Sequence, residues 1–276
     1  MQLELSKAFA QHWQNKDPFV EAEKLQGEVY RALEARKTLR FTLHDKSYFI
    51  KIHRGIGWFE IIENILRLRK PVLGAANEYL AIKKLEQLNI DTMKIAGYGI
   101  KGFNPAKLQS FIITEDLINT ISLEDFCAHW KTRGEKNQRP DFKLKLALTR
   151  KLAHISRTLH QNGVNHRDYY ICHFLLDISN GKDKLDYNHL KISLIDLHRA
   201  QLREHTPERW CVKDIASLYF SVMDIGLNQR DFFRFMKGYH HCDLRDCLTT
   251  HQKFWQKVER QGQKLWLRKQ RKGDAI

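Results

Sequence analysis

Leu144, Leu148, Leu152, Ile155 and Leu159 recur at the three- and four-residue spacing of a single helical face, and Gly163 follows where such a helix stops. A chain carrying this stripe must bury it against other helices. Upstream the period changes. Glu28-Val29-Tyr30-Arg31, Leu39-Arg40-Phe41-Thr42-Leu43 and Tyr48-Phe49-Ile50-Lys51-Ile52 are separated by charged connectors and predict antiparallel strands; Lys94 to Tyr98 and Ser110 to Thr114 predict two more. Strands give way to helices near Thr114 to Ile118, which sets the class as α+β, with a strand-rich part over 1-116 and a helical part over 117-276.

Between the strands, Ile56 to Glu60 and the basic run Arg67-Leu68-Arg69-Lys70 predict a short helix broken before Pro71. A stronger helix follows, capped by Asn77, running from Glu78 to Glu86 and stopped near Asn89. Beyond the long helix, Leu190 to Ile195 predicts a strand ending at Asp196, and Asp214 opens an apolar helix running to Met223. At 276 residues with 42% hydrophobic content, the chain can bury a substantial core. The net charge of +15 favours an anionic partner, whether nucleic acid, membrane surface, acidic protein or phosphorylated saccharide, and does not choose among them.

Cys127, Cys172, Cys211, Cys242 and Cys247 form no C-x-x-C pair and are expected to be reduced thiols. His240-His241-Cys242 with Cys247 and His251 gathers soft ligands at a spacing that fits no common zinc pattern. The start, Met1 to Lys7, lacks a basic and apolar leader, and no apolar run is long enough to span a bilayer, so a soluble or peripheral protein is expected.

The chemistry centres on two acids. Asp168 lies in His166-Arg167-Asp168, just past the long helix, and Asp196 closes the next strand. In phosphoryl transfer, the first such acid takes the proton of the attacking hydroxyl and the second holds Mg²⁺. A strand Lys (Lys51), a helix-start Glu (Glu78), the connection Thr114-Glu115-Asp116-Leu117, the H-R-D tripeptide and Asp196 stand in kinase order. Lys51 either faces water or binds the α- and β-phosphates. Glu78 either answers the helix dipole or pairs with Lys51. Asp214 either caps its helix or accepts N–H bonds from the H-R-D turn. The departures matter as well. His173 stands where a second metal-holding Asn is expected, D-F-G and A-P-E are absent, and no glycine-rich phosphate loop precedes Gly55. Ala32 to Lys37 forms the first turn, where Arg31 or Lys37 assists.

Phe49 to Trp58, Pro71 to Ala75, Gly163 to Asp168, Ile171 to Leu176 and Ile195-Asp196-Leu197-His198-Arg199-Ala200 resemble the lipopolysaccharide core heptose(I) kinase family, WaaP/RfaP. The likeness runs through the whole chain. It implies a protein-kinase-like bilobal fold, with a small antiparallel-sheet lobe that binds nucleotide phosphates and a mainly helical lobe that holds the catalytic loop, metal and acceptor. It further implies ATP and Mg²⁺ as cofactors and a hydroxyl of the first inner-core heptose as acceptor. The roles carried over are Asp168 as catalytic base, Lys51, Glu78, Thr114, Glu115 and Leu117 at the nucleotide, and Asp196 with His173 at the metal. The expected partners are the lipopolysaccharide core saccharide, the cytoplasmic face of the inner membrane and, from the positive charges of the last helix, a small acidic protein such as an acyl carrier protein, with no nucleic acid. Arg67, Arg69 and Lys70 are a candidate surface for the anionic acceptor.

The last helix interleaves Phe254, Trp255, Val258, Leu265 and Trp266 with Lys and Arg; it either lies on a membrane interface or packs on the helical part. The rival readings are a kinase of other specificity and a catalytically silent kinase-like binding protein. Retention of Lys51, Asp168 and Asp196 speaks against the second.

Overall fold

A computed structural model describes residues 1–33, 35–66, 74–131 and 141–273. Two compact units result: one of Met1–Lys84, Met93–Ile118 and Leu197–Arg199, the other of Leu85–Thr92, Asn119–Asp196 and Ala200–Ile276.

In the first unit, β1 (Gln2–Leu5), α1 (Lys7–His12) and α2 (Pro18–Lys24) precede β2 (Glu28–Leu33), β3 (Arg36–Leu43) and β4 (Lys46–His53). After them come α3 (Gly57–Leu66), α4 (Ala76–Gln87), β5 (Ile95–Lys101) and β6 (Gln109–Glu115). One antiparallel sheet runs in the order β1-β5-β6-β4-β3-β2. The β3–β4 turn places His44 and Asp45 at φ 48° and 59°, the paired left-handed geometry whose twist suits a two-residue hairpin. Alternation then decides the faces. Leu39, Phe41, Tyr48, Ile50 and Ile52 are buried on one side, where Phe9, Trp13 and Phe19 of the N-terminal segment cover them. Burying each such side chain contributes roughly 1.5–3 kcal/mol. Lys51, between Ile50 and Ile52 in the strand, therefore points to the opposite side.

The strands β2 to β6 lie where the alternation placed them. β1, α1 and α2 carried no readable pattern: β1 is short and mostly exposed, and its neighbours earn their place through contacts distant in sequence. Two local readings change. The turn between β2 and β3 is narrower than Ala32 to Lys37, because the strands extend to Leu33 and from Arg36. Asn77 is not a cap but lies in the first turn of α4, which begins at Ala76; the Ser110 hydroxyl accepts the Ala75 N–H at 3.0 Å. Asn89 does end that helix, at φ 54°, with Ile90 N–H returning to the Leu85 carbonyl at 2.9 Å. Arg67, Arg69 and Lys70 lie outside the described residues.

The second unit holds β7 (Thr120–Ser122), α5 (Leu123–Cys127), α6 (Phe142–Gln161), β8 (Val164–Asn165), β9 (Phe174–Asp177), β10 (Ile192–Leu194) and β11 (Gln201–Leu202). It is completed by α7 (Glu208–Val222), α8 (Gln229–His240), α9 (Leu244–Leu248) and α10 (Gln252–Gly273). The leucine stripe of α6 is buried as its spacing required. Gly163, at φ 76°, ends the segment at a point where a Cβ would stand 1.7 Å from the Arg203 carbonyl oxygen. Only glycine fits there. Its own carbonyl accepts the Arg203 N–H at 2.9 Å, joining β8 to β11 and fixing the start of the H-R-D turn.

Phe254 and Val258 of α10 are buried, and Gly262 lets that helix approach the Tyr219 ring of α7. The apolar face of α10 thus packs within its own unit. No helix among the described residues is long and apolar enough to cross a membrane. The His240 and His251 rings stack at 3.7 Å and the Cys242 and Cys247 sulfurs lie 3.4 Å apart, but no group of three or more candidate metal ligands forms among the described residues.

Candidate active site

Lys51 Nζ lies 2.7 Å from Glu78 Oε1, an ion pair between β4 and α4. Its partners differ in burial: the Glu78 side chain is 2% exposed and the Lys51 side chain 28%. Pairing answers the cost of placing a carboxylate there, since a buried charge left alone destabilises a fold by about 3–5 kcal/mol. The second carboxylate oxygen of Glu78 is buried without a hydrogen-bond partner, so the site retains capacity for another donor. Nearby, burial first, then the charges of Arg36, Lys51 and His198, hold the His53 imidazole down at about 4, and it is neutral at ordinary pH.

Thr114 and Glu115 close β6 opposite Phe49 and Tyr48 of β4, and Glu115 N–H reaches the Lys94 carbonyl at 2.8 Å. Asp116, named above only as part of the Thr114 to Leu117 segment, anchors this connection. It accepts from Arg40 at 2.7 Å and from the Ser47 hydroxyl at 2.8 Å, and its N–H donates to Ser47. Leu117 follows directly. Of the residues considered for phosphate binding, Lys37 donates to the Leu25 carbonyl at 3.3 Å and Arg31 is exposed.

In the second unit a buried carboxylate organises the H-R-D turn. Asp214 does not open its helix but sits inside α7, 1% exposed, so it is not a cap. Its oxygens accept the backbone N–H of His166 at 2.6 Å and of Arg167 at 2.9 Å. These bonds hold Arg167 at φ 75°, a conformation that costs a non-glycine residue roughly 1–2 kcal/mol. The His160 ring stands behind them, with Nδ1 2.7 Å from the Tyr239 hydroxyl and Nε2 3.5 Å from Asp214. Burial opposes charge on this imidazole, yet hydrogen bonding and charge from Asp214 and Cys211 prevail and push it up to about 9. His160 and Tyr239 were not legible in advance, because neither the last turn of α6 nor the distant α8 announces a shared partner.

Asp196 follows β10 at φ 61°, a second strained backbone position. Four contacts stitch it to the loop of Asp168. His166 Nε2–H donates to the Ile195 carbonyl at 2.9 Å, and Ile195 N–H donates to the His173 carbonyl at 3.0 Å. His173 Nδ1–H donates to the Asp168 carbonyl at 2.7 Å, while its Nε2 stands 3.7 Å from Asp196 Oδ2. His173 thus touches both acidic segments. Burial opposes its protonation, but the Cys172 side chain, the Asp168 carbonyl and the Asp196 charge push it up to about 9. Burial holds His166 down, matching a neutral ring that donates from Nε2.

The oxygens of Asp196 suit a hard cation such as Mg²⁺, which takes one or two protein carboxylates and completes its shell with water and phosphate oxygens. His173 Nε2 stands 3.7 Å from that carboxylate and would serve as a ligand once the cation displaces its proton.

An antiparallel sheet with a paired strand lysine, followed by a helical unit with an H-R-D turn and a strand-end aspartate, defines a protein-kinase-like phosphotransferase. The comparisons narrow the class. The chain belongs to the lipopolysaccharide kinase (Kdo/WaaP) family, whose model matches residues 20–239. It is 51% identical over 264 residues to an Escherichia coli lipopolysaccharide core heptose(I) kinase WaaP, covering 95% of this chain and 96% of the relative. To the WaaP of Pseudomonas aeruginosa it is 46% identical over 276 residues, covering 100% of both chains. A solved structure described as WaaP in complex with acyl carrier protein superposes with TM-score 0.82 at 41% identity, covering 96% of this chain and 100% of that one. Membership in a kinase family makes ATP the phosphoryl donor.

Proposed function

We propose that this chain transfers the γ-phosphoryl group of ATP to a hydroxyl of the first heptose of the lipopolysaccharide inner core. One observation carries the reading: in a chain nearly half identical to heptose(I) kinases, the Asp168 loop and the Asp196 turn are tied together through His166, His173 and Asp214. Asp168 orients the acceptor hydroxyl and takes its proton as the oxygen bonds to phosphorus and the bond to ADP breaks. Lys51, fixed by Glu78, holds the α- and β-phosphate oxygens, in a strand-rich lobe spanning 1-116 that serves the nucleotide. Thr114, Glu115 and Leu117 hold the rest of the nucleotide. The lobe spanning 117-276 serves catalysis, metal and acceptor. Asp196 would hold Mg²⁺ together with His173, whose Nε2 proton the cation would displace, and the metal would supply charge neutralisation at the transferring phosphate.

The acceptor is lipid-linked, so the enzyme works at the cytoplasmic face of the inner membrane as a peripheral protein. Its +15 charge supports that placement. The exposed face of α10 carries Lys257, Arg260, Lys264 and Arg268 and suits a small acidic protein, of the kind that accompanies the related solved structure.

A labelled-ATP assay offering core lipopolysaccharide, a generic protein or no acceptor tests the proposal. Label is expected in the saccharide for the native chain and nowhere for Asp168→Ala. Label in protein alone, or undiminished transfer by Asp168→Ala, overturns it.

A further inference from the structure

Four cations surround one indole beside the H-R-D turn. Lys213 Nζ lies 4.2 Å from the Trp210 ring centroid, and the guanidinium carbons of Arg167, Arg209 and Arg203 lie at 5.6, 5.6 and 5.7 Å. Cation–π attraction accounts for one or two such neighbours. It does not account for four, whose mutual repulsion grows with each addition and is only partly screened near a protein surface.

The local acids offset this charge only in part, Asp214 acting on Arg203 through its charge. Asp214 commits its oxygens to the His166 and Arg167 N–H groups, and Glu208 pairs with Lys257 at 2.6 Å. Among the described residues no carboxylate lies within ion-pair distance of Arg203, Arg209 or Lys213. Arg203 is also held by Asn165 and Gln201, which keeps its guanidinium in place.

Two further observations point the same way. Arg209 and Trp210 occupy the first turn of α7, a helix whose N-cap, Pro207, supplies no side-chain acceptor. The Trp210 indole N–H is buried and lacks an acceptor. Arg209 and Lys213 are exposed, and an incoming group can reach them.

We infer that this cation cluster is an anion-binding subsite for a doubly charged oxyanion, a phosphate monoester or a pair of carboxylates, carried by the acceptor saccharide. The inference rests on the heptose kinase reading. Because Arg167 directly precedes Asp168, an acceptor anchored here has its charge fixed next to the catalytic loop, and steering of the hydroxyl follows from that anchor.

The test uses the full chain and the double variant Arg209→Gln/Lys213→Gln, whose exposed positions and relieved repulsion leave the unfolding midpoint unchanged or raised. With intact core acceptor, KM for the acceptor is expected to rise about tenfold, a loss typical of one charged contact, with kcat and the ATP KM within about twofold. Inorganic phosphate is expected to compete with acceptor in the native chain and not in the variant. Acceptors stripped of phosphates or reduced at their carboxylates identify the anion: the arm on which native and variant KM converge names it. An acceptor KM within twofold of native, or an equal rise on an acceptor lacking both groups, overturns the subsite. A native chain that transfers nothing to any heptosylated acceptor refutes the functional reading instead. The subsite is then decided by calorimetric phosphate binding with the nucleotide site saturated by a non-hydrolysable analogue: loss in the variant supports it, and equal binding overturns it.

Discussion

Asp214→Asn isolates what one buried carboxylate does for the catalytic turn. The native side chain accepts two backbone N–H groups, at 2.6 and 2.9 Å, and faces the His160 ring at 3.5 Å. An amide keeps one acceptor oxygen and turns an NH₂ toward the other backbone N–H. One charge-assisted bond becomes neutral and one is lost, at about 1.5–3 kcal/mol for a bond to a charged group, so about 3 kcal/mol of stability should disappear. The loss must also depend on pH. His160 has a folded pKa of about 9, raised above its ordinary 6.5, so its contribution is complete below pH 6.5 and vanishes as pH rises through about 9. Removing the Asp214 charge removes that contribution, and the stability gap between native and variant should be widest near pH 6 and narrow toward pH 9.5.

Urea denaturation followed by circular dichroism at pH 6, 7.5 and 9.5 measures the gap. Hydrogen exchange over residues 163–170 reports whether the H-R-D turn loosens, and Arg167 at φ 75° should relax once its N–H is released. Phosphoryl transfer is expected to fall by two orders of magnitude or more, in line with the cost of misplacing a catalytic group. A gap of the same size at pH 6 and pH 9.5 would refute the His160 pairing. Unchanged protection of the turn would refute the role given to Asp214.

Lys51→Met leaves the buried Glu78 carboxylate without its partner; it should lower the unfolding midpoint and weaken ATP use, while adding Glu78→Gln restores the midpoint and not the activity, as thermal denaturation and ATP titration will show. Gly163→Ala forces a Cβ to within 1.7 Å of the Arg203 carbonyl at positive φ, so it should destabilise by about 3 kcal/mol or more, read as a drop in melting temperature. His53, depressed to about 4, keeps its contribution above pH 6.5 and loses it as pH falls through 4; His53→Leu should therefore flatten the loss of stability between pH 6.5 and pH 4 in acid titrations.

Sequence reading reached furthest where a local period or a short motif matched its own structure. The strands β2 to β6 and the helix α6 obeyed their hydrophobic periods, and the H-R-D turn followed the glycine that only a left-handed position explains. The Lys51–Glu78 pair was legible only as one of two readings, because a lysine inside an apolar strand requires a partner or water and the strand period does not choose between them. Legibility failed where meaning depends on a distant neighbour. No local period marks Phe9, Trp13 and Phe19, whose place follows only from the sheet surface they cover. Asp214 read equally well as a cap, since nothing local shows that α7 starts at Glu208 and carries the carboxylate into its interior.

His173 shows why a substitution at a recognised motif position can preserve a mechanism's geometry. An amide at this place offers a short side chain whose NH₂ donors and oxygen acceptor share one carbon. The imidazole offers two nitrogens on opposite edges of a longer ring. One edge donates to the Asp168 carbonyl at 2.7 Å while the other faces Asp196 at 3.7 Å, and the residue's own carbonyl takes the Ile195 N–H. A single side chain therefore spans the Asp168 loop and the Asp196 turn. His166 runs a parallel connection to Ile195, its ring stacked on His173 with centroids 5.8 Å apart. Two histidines thus tie the Asp168 loop to the segment that carries Asp196 at φ 61°.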